Sequence, residues 1–191
     1  MQQTMARLLW QPHGALAAEE PFVLRIRTPH HCGVHTRPPG PGHFHGDIHM
    51  DRTAEARWAG DLKTGRGNVT LGSGAFEGPY SFTSRFENGS GTNPEELLGA
   101  AHAACYSMAL SLALSLAGHT PTSVATTATV HLAKVGAGFS ITGIDLKTRG
   151  LVPGIAAAEF SRLAEETKVN CIVSRALASV PMQLDAQLLP A

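Results

Sequence analysis

The stretch NPEELLGAAHAACYSMALSLALSLAG, residues 93–118, decides the fold of this 191-residue chain. Asn93 is a typical N-cap residue, Pro94 suits the first helical position, and Glu96 stands where a capping box has its acidic residue. Gly118 is a typical residue just past the end of a helix. These signals predict one long helix that begins after Asn93 and ends near Gly118.

The predicted helix has no polar face, because residues 97–118 contain no Asp, Glu, Lys or Arg. About 20 apolar residues are enough to cross a bilayer, but the interspersed serines and the lack of aromatic residues at both ends favour a buried central helix. A domain of this size offers little to cover such a helix, so we expect a homodimer that buries two of them together. Small residues at a spacing of four would allow their close approach: Gly99, Ala103, Ser107 and Ser111.

The chain divides into two regions of different composition. Residues 1–49 hold seven of the ten histidines and half of the twelve prolines, so we interpret them as an extension that is disordered or not native. The alternative is a metal-binding tail, with ligands from residues 30–32 and 43–45. Residues 50–191 carry regular patterns and form the predicted folded domain, with Met50 as a candidate native start.

Alternating and amphipathic patterns predict the remaining elements of the folded domain. Strands are expected at 55–60, 68–71, 79–86, 123–134, 139–148 and 181–188, and further helices at 155–168 and 171–178. Strands that come in groups, rather than alternating singly with helices, indicate an α+β fold and not a doubly wound sheet.

The net charge and the cysteine content limit the possible partners and the compartment of the protein. The formal net charge is zero and the sequence pI is near 7.2, which argues against nucleic acid or an anionic membrane as a partner. An odd count of three cysteines fits a reducing compartment. We find no pattern of a secretory signal and expect a cytoplasmic protein.

Two of the cysteines lie in contrasting settings. Cys105 lies within the apolar helix, whereas Cys171 follows a charged segment, and neither has the neighbouring ligands of a zinc site. One thiol that forms a sulfenic acid and a second that condenses with it are what a two-cysteine peroxidase needs. Two inert core cysteines are the alternative.

Five motifs are similar to those of one family. They are WAGDLKTGRG at 58–67, FTSRFE at 82–87, GTNPEEL at 91–97, AAHAACYSM at 100–108 and VPGI at 152–155. Together with the segment around Cys171, they resemble the OsmC branch of the OsmC/Ohr family of organic hydroperoxide reductases. The resemblance runs from about Thr53 to Leu188 and leaves residues 1–49 outside it.

The resemblance implies an OsmC-like fold, with sheets wrapped around two central helices in an intertwined homodimer. It implies a peroxidase of oxidative and osmotic stress defence that reduces alkyl or lipid hydroperoxides to alcohols. It also implies that no cofactor is bound, and that an external dithiol, a lipoylated protein in the cell, supplies the electrons.

The resemblance also assigns the site residues. By motif position, Cys105 looks like the peroxidatic cysteine and Cys171 the resolving one, while Arg85 activates the thiolate and Glu95 orients the arginine. Relatives often have Pro where this chain has Ile172, which puts the loop beside Cys171 in doubt but is expected to leave the nucleophile unaffected.

Physical chemistry supports a cation near Cys105. Burial in a helix raises the pKa of a thiol, and the permanent charge of Arg85, held by a bidentate pair with Glu95, would offset this rise. Glu95 precedes Cys105 by ten residues, or roughly 15 Å of helix. We therefore expect Cys105 and Cys171 from one subunit and Glu95 from its partner.

Other residues and functions remain open at this point. Arg66 is a second candidate guanidinium and His102 a candidate base, although a turn residue and a packing histidine are the simpler interpretations. Apolar residues around Cys105 favour an apolar organic hydroperoxide over hydrogen peroxide as the substrate. The competing functions are a small-ligand-binding dimer without catalysis and a thiol redox sensor.

Overall fold

The computed structural model describes residues 49–190, which form the expected α+β fold. Residues 1–48, and with them the candidate metal ligands of the extension, lie outside the described residues. The described elements are β1 Ala54–Ala59, β2 Arg66–Leu71, β3 Glu77–Ser81, α1 Phe82–Phe86, α2 Pro94–Leu116, β4 Ser123–Val135, β5 Gly138–Leu151, α3 Ala157–Asn170, α4 Ile172–Ala176 and β6 Met182–Leu188.

The N-terminal sheet is an antiparallel meander in the order β1-β2-β3. Gly67 of β2 lies under the ring of Tyr80, where an added Cβ would come within 2.3 Å of ring carbons. The rings of Trp58 and Tyr80 pack with centroids 5.3 Å apart. Most residues of β1 are exposed, so the single chain leaves this sheet largely uncovered.

The segment after β3 corrects one prediction. The alternating pattern of residues 79–86 predicts a strand, but Phe82–Phe86 form the short helix α1. Ser81 starts this helix: its hydroxyl accepts the Ser84 backbone N–H at 3.1 Å, and the Ser84 hydroxyl accepts the Ser81 N–H at 2.9 Å. This reciprocal cap stabilises a helical turn and places Phe82 and Phe86 on one face, with ring centroids 4.9 Å apart.

The long helix α2 begins and ends close to the predicted residues. The Asn93 side chain accepts the Glu96 backbone N–H at 2.8 Å. The predicted capping box is incomplete, because the Glu96 carboxylate accepts the Thr92 hydroxyl at 2.9 Å instead of turning back to the cap. Gly118 has a φ of 88°, the left-handed conformation that ends many helices.

One face of α2 is buried and the other is open. The buried face packs on the second sheet and on α3: Gly99, His102, Tyr106, Leu110 and Leu114. On the other face Met108, Leu112 and Leu116 are 75%, 61% and 81% exposed. The single chain therefore leaves one side of the helix uncovered, which agrees with the expectation that a domain of this size cannot cover it alone. Among the described residues α2 alone is long and apolar enough to cross a membrane, but its buried face belongs to the domain core.

Two of the four small residues of α2 make a contact within the chain that the sequence does not predict. A Cβ added to Gly99 would lie 3.2 Å from the Ala128 carbonyl oxygen of β4. The Ser107 hydroxyl donates to Thr126 of the same strand at 2.8 Å. These two positions let the helix approach a strand of its own chain, whereas the sequence suggested a second helix.

The C-terminal sheet supports the core. Strands β4 and β5 form a long antiparallel hairpin, and β6 lies parallel to β5 at the edge. Ile144 and Leu146 of β5 are fully buried against α2 and α3. The chain leaves α3 at Asn170 and enters α4 at Ile172, which positions Cys171 between two helices and beside α2.

Candidate active site

The structure brings the two cysteines together from elements 66 residues apart. Cys105 lies in the middle of α2, and Cys171 is the single residue between α3 and α4. Both thiols are free, and their sulfur atoms lie 3.3 Å apart. A disulfide bond is about 2.05 Å long, so an approach of little more than an ångström would join them.

The two sulfurs differ in their access to solvent. Cys171 is only 1% exposed, whereas Cys105 is half-buried. An apolar groove of about 550 Å³ opens beside both, and Met108, Leu112 and Ile172 contribute to its wall. A molecule in this groove can reach Cys105 more readily than Cys171.

The pKa values of the two thiols move in opposite directions. Burial raises the pKa of Cys105, and the neighbouring Cys171 adds to the rise against the backbone N–H groups of Val173 and Ile172. Burial also acts to raise the pKa of Cys171, but the backbone N–H and hydroxyl of Ser174 and the Cys105 thiol outweigh it, so that pKa is lowered. No cation contributes to either shift among the described residues.

Arg85 and Glu95 form a second pair at the N-terminal end of α2. Arg85 Nη2 donates to Glu95 Oε1 at 2.7 Å, and Arg85 Nε lies 3.3 and 3.2 Å from the two carboxylate oxygens. Glu95 is buried in the first turn of the helix. The guanidinium carbon of Arg85 also lies 5.2 Å from the centre of the Phe86 ring, which is within reach of a cation–π contact.

The four candidate residues thus form two pairs and not one cluster in the single chain. Glu95 lies in the first turn of α2 and Cys105 ten residues later, or about 15 Å along the axis. Because Arg85 is held at Glu95, its guanidinium is at the same end of the helix. The single chain therefore does not bring the two pairs into one site.

Two further candidates take other positions. His102 is fully buried, and its Nε2 lies 2.8 Å from the Ser174 hydroxyl oxygen, so this nitrogen is not directed at Cys105 as a base. Burial lowers the pKa of His102. Arg66 lies in β2 of the N-terminal sheet, where it pairs with Ala59 and Ser81.

Two residues of this region make contacts that the sequence did not reveal. The Tyr106 hydroxyl donates to the Ala164 carbonyl at 2.8 Å and ties α2 to α3 behind the thiols. Burial raises the pKa of Tyr106. Ser174 follows Cys171 by three residues, a spacing at which side chains meet on a helical turn, and this was the available signal for it.

Within residues 49–190 no group of three His, Cys, Asp or Glu side chains is placed to hold a metal ion.

The fold and the paired thiols define a class: an α+β protein with two reduced cysteines at hydrogen-bonding distance beside an apolar groove. Comparison with known proteins places the chain within this class. The family described as OsmC-like protein matches residues 87–185. The peroxiredoxin OsmC of Escherichia coli K12 is 53% identical over 140 residues, which cover 73% of this chain and 97% of that protein. The chain belongs to the OsmC-like protein family.

Solved structures share the fold. An organic hydroperoxide resistance protein OsmC from Legionella pneumophila matches with a TM-score of 0.57 and 24% identity, covering 71% of this chain and 96% of its own. The organic hydroperoxide resistance protein OhrB of Bacillus subtilis has a TM-score of 0.57 and 22% identity, covering 71% and 98%. The OsmC/Ohr fold predicted from the sequence motifs is thereby confirmed.

Proposed function

We propose that this protein is a thiol-dependent peroxidase that reduces organic hydroperoxides to alcohols. The observation that carries the proposal is the 3.3 Å separation of two free thiols beside an apolar groove. The relative that is 53% identical over nearly its whole length is itself named a peroxiredoxin, which supports the same chemistry here.

The reaction uses the two cysteines in turn. The Cys105 thiolate attacks one peroxide oxygen, the O–O bond breaks, and the alkoxide leaves and takes up a proton to become the alcohol. Cys105 is now a sulfenic acid. The Cys171 sulfur attacks it, a disulfide forms, and the hydroxyl group leaves as water. An external dithiol then reduces the disulfide by exchange, and a lipoylated protein is the donor we propose, with no bound cofactor.

The assignment of the first attack to Cys105 rests on access and surroundings. Cys171 is 1% exposed, whereas Cys105 is half-buried and lines the groove. Most of the side chains at its wall are apolar, among them Met108, Leu112 and Ile172. Such a groove favours alkyl or lipid hydroperoxides over hydrogen peroxide.

A second copy of the chain completes the proposed site. Within residues 49–190 no cation acts on Cys105, and burial raises its pKa, so we expect the positive charge that stabilises the thiolate to come from a second chain. Arg85 and Glu95 are already bound to each other, so they would enter a neighbouring site together. We therefore extend the prediction made for Glu95: the partner subunit supplies both residues.

The uncovered surface supports this homodimer. Met108, Leu112 and Leu116 form an apolar stripe on the open face of α2, and most of β1 is exposed as well. Apolar patches of this kind mark interaction surfaces. Two antiparallel α2 helices packed along the stripe would bring the first turn of one helix toward Cys105 of the other.

We assign the reaction to the cytoplasm. Two free cysteines with sulfurs 3.3 Å apart would be oxidised in a compartment that favours disulfides, whereas cytosolic reductants keep them available for peroxide.

The direct test is peroxide consumption with a dithiol donor, for the wild type, Cys105→Ser and Cys171→Ser. We expect rapid loss of cumene hydroperoxide, slower loss of hydrogen peroxide and no turnover for Cys105→Ser. Cys171→Ser should still react once and accumulate a sulfenic acid. A wild type that starts fully reduced and consumes no organic peroxide would contradict the proposal, and a single turnover without recycling would favour a redox sensor.

A further inference from the structure

The apolar groove beside the thiols has one charged side chain at its wall. The groove, of about 550 Å³, is formed mainly by apolar residues of α2 and by the end of α3. Among the lining residues that the structure describes, Glu166 alone is an acidic or basic residue. The two other polar residues that α3 contributes, Thr167 and Asn170, are uncharged. Besides the thiols, a molecule in the groove therefore meets a single ionisable side chain, and it is an acidic one.

Glu166 lies near enough to the thiols to act on a bound peroxide. It precedes Cys171 by five residues on α3, which is roughly 7.5 Å along the helix axis. A hydroperoxide that reacts at Cys105 has its organic group in the groove. That group would therefore extend toward Glu166.

The cations nearest to Glu166 along α3 lie outside the groove wall. Arg162 pairs with Glu166 at 2.8 Å, but it is one turn further from Cys171 and does not line the groove. Lys168 pairs with Glu165 at 2.7 Å and lines a different cleft. The last turn of α3 also carries the negative end of the helix dipole. The end of α3 therefore presents negative charge to the groove.

We propose that Glu166 is a specificity-determining residue, which selects neutral organic hydroperoxides over those that carry a carboxylate near the peroxide group. The inference rests on the proposed peroxidase function and narrows its substrate class. Two effects act together, because an apolar groove disfavours any unpaired charge and Glu166 repels a negative one. In the proposed dimer the guanidinium of Arg85 serves the Cys105 thiolate, so it does not offset Glu166 further along the groove.

The test compares two peroxides that differ in one charged group. They are cumene hydroperoxide and its derivative with a carboxylate at the para position of the ring. With a dithiol donor at low salt, kcat/KM for each is measured in the full-length wild type, Glu166→Gln and Glu165→Gln. Glu165→Gln is the matched control, since Glu165 also pairs with a cation, is 57% exposed against 54% for Glu166, and does not line the groove.

We expect the wild type to prefer the neutral peroxide about tenfold or more. Glu166→Gln should reduce this preference about threefold to fivefold, the size of an exposed charge interaction, whereas Glu165→Gln should not change it. High salt should remove the difference between the wild type and Glu166→Gln, because the Debye length falls to about 3 Å at 1 M.

A second measurement needs no peroxide reduction. The two product alcohols, with and without the carboxylate, are tested as ligands that protect Cys105 from iodoacetamide, followed by mass spectrometry of the Cys105 peptide. The neutral alcohol should protect at the lower concentration. A wild type that consumes neither peroxide but shows this order would contradict the peroxidase function, while the charge selectivity of the groove would stand.

A preference that Glu166→Gln leaves within about 1.5-fold of the wild type at low salt would overturn the proposal. An equal reduction in Glu165→Gln would overturn it too, because the effect would then come from the net charge of the surface and not from the groove. So would equal protection of Cys105 by the two alcohols.

Discussion

The two sheets differ in how much of their surface the single chain covers. Ile144 and Leu146 of β5 are fully buried by α2 and α3, whereas five of the six residues of β1 are exposed. The C-terminal sheet therefore forms a core with α2 and α3, and this core positions the thiol pair within a single chain. The N-terminal half carries Arg85 but has little of its own chain to pack on. In the proposed dimer, one chain is therefore enough to form the thiol pair, whereas two chains are needed to activate it.

The largest effect is expected from Arg85→Gln, which removes the charge that the partner subunit would offer to Cys105. Loss of charge-assisted hydrogen bonds to the thiolate should reduce kcat/KM for cumene hydroperoxide on the order of a hundredfold. The pH profile should move to higher pH, because the activity requires the thiolate and the pKa of Cys105 would then rise further.

Arg149→Gln is the matched control, since Arg149 pairs with Asp185 of the neighbouring strand at 3.0 Å, and neither residue lines the groove beside the thiols. Unchanged peroxidase activity and an unmoved pH profile for Arg85→Gln would show that the Arg85–Glu95 pair is only structural.

A smaller loss is expected from Leu112→Glu on the open face of α2. Leu112 is 61% exposed in the single chain, but in the proposed dimer it would be buried, and a buried unpaired carboxylate is strongly unfavourable. We expect monomers in sedimentation and at least a tenfold loss of activity, because a monomer lacks the second Arg85.

Gln187→Glu on β6 introduces the same charge at an exposed position and should leave assembly and activity intact. A Leu112→Glu chain that remains dimeric would place the interface elsewhere.

The smallest effect concerns Ile172→Pro, which introduces the residue that the family resemblance suggests for this position. The backbone N–H of Ile172 acts to lower the pKa of Cys105, and proline has no such group. This variant therefore tests the sequence-based expectation that the residue at this position leaves the nucleophile unaffected. We expect a rise in the pKa of Cys105 and a decrease of about threefold in the rate at neutral pH.

Ile172→Ala keeps the N–H and is the control for the lost side chain. Equal reaction rates of Cys105 in the proline and alanine variants, measured by stopped-flow peroxide consumption, would rule out a contribution from this backbone group.

Much of the fold could be read from local patterns. Asn93 and Gly118 gave the bounds of α2 because caps and stops act within a few residues. The strand predicted over 79–86 was wrong at its end, since the reciprocal cap of Ser81 and Ser84 outweighs an alternating pattern. The bounds of an element could thus be predicted wherever the contacts that decide them are local.

The site was less accessible to such reasoning. The approach of Cys105 and Cys171 across 66 residues, and of His102 and Ser174 across 72, depends on how α3 and α4 pack against α2. No periodicity encodes such contacts. The cysteine roles came from family motifs, while Ser174 has no motif and emerged only from the structure.

The central claim is that each site combines thiols of one subunit with Arg85 of the other. The most direct measurement uses two inactive chains, Cys105→Ser and Arg85→Gln, co-expressed with different tags and purified as the mixed dimer. One of its two sites then holds an intact Cys105 and an intact Arg85 from opposite subunits. The account predicts about half of the wild-type peroxidase activity. A mixed dimer as inactive as its parents would contradict it.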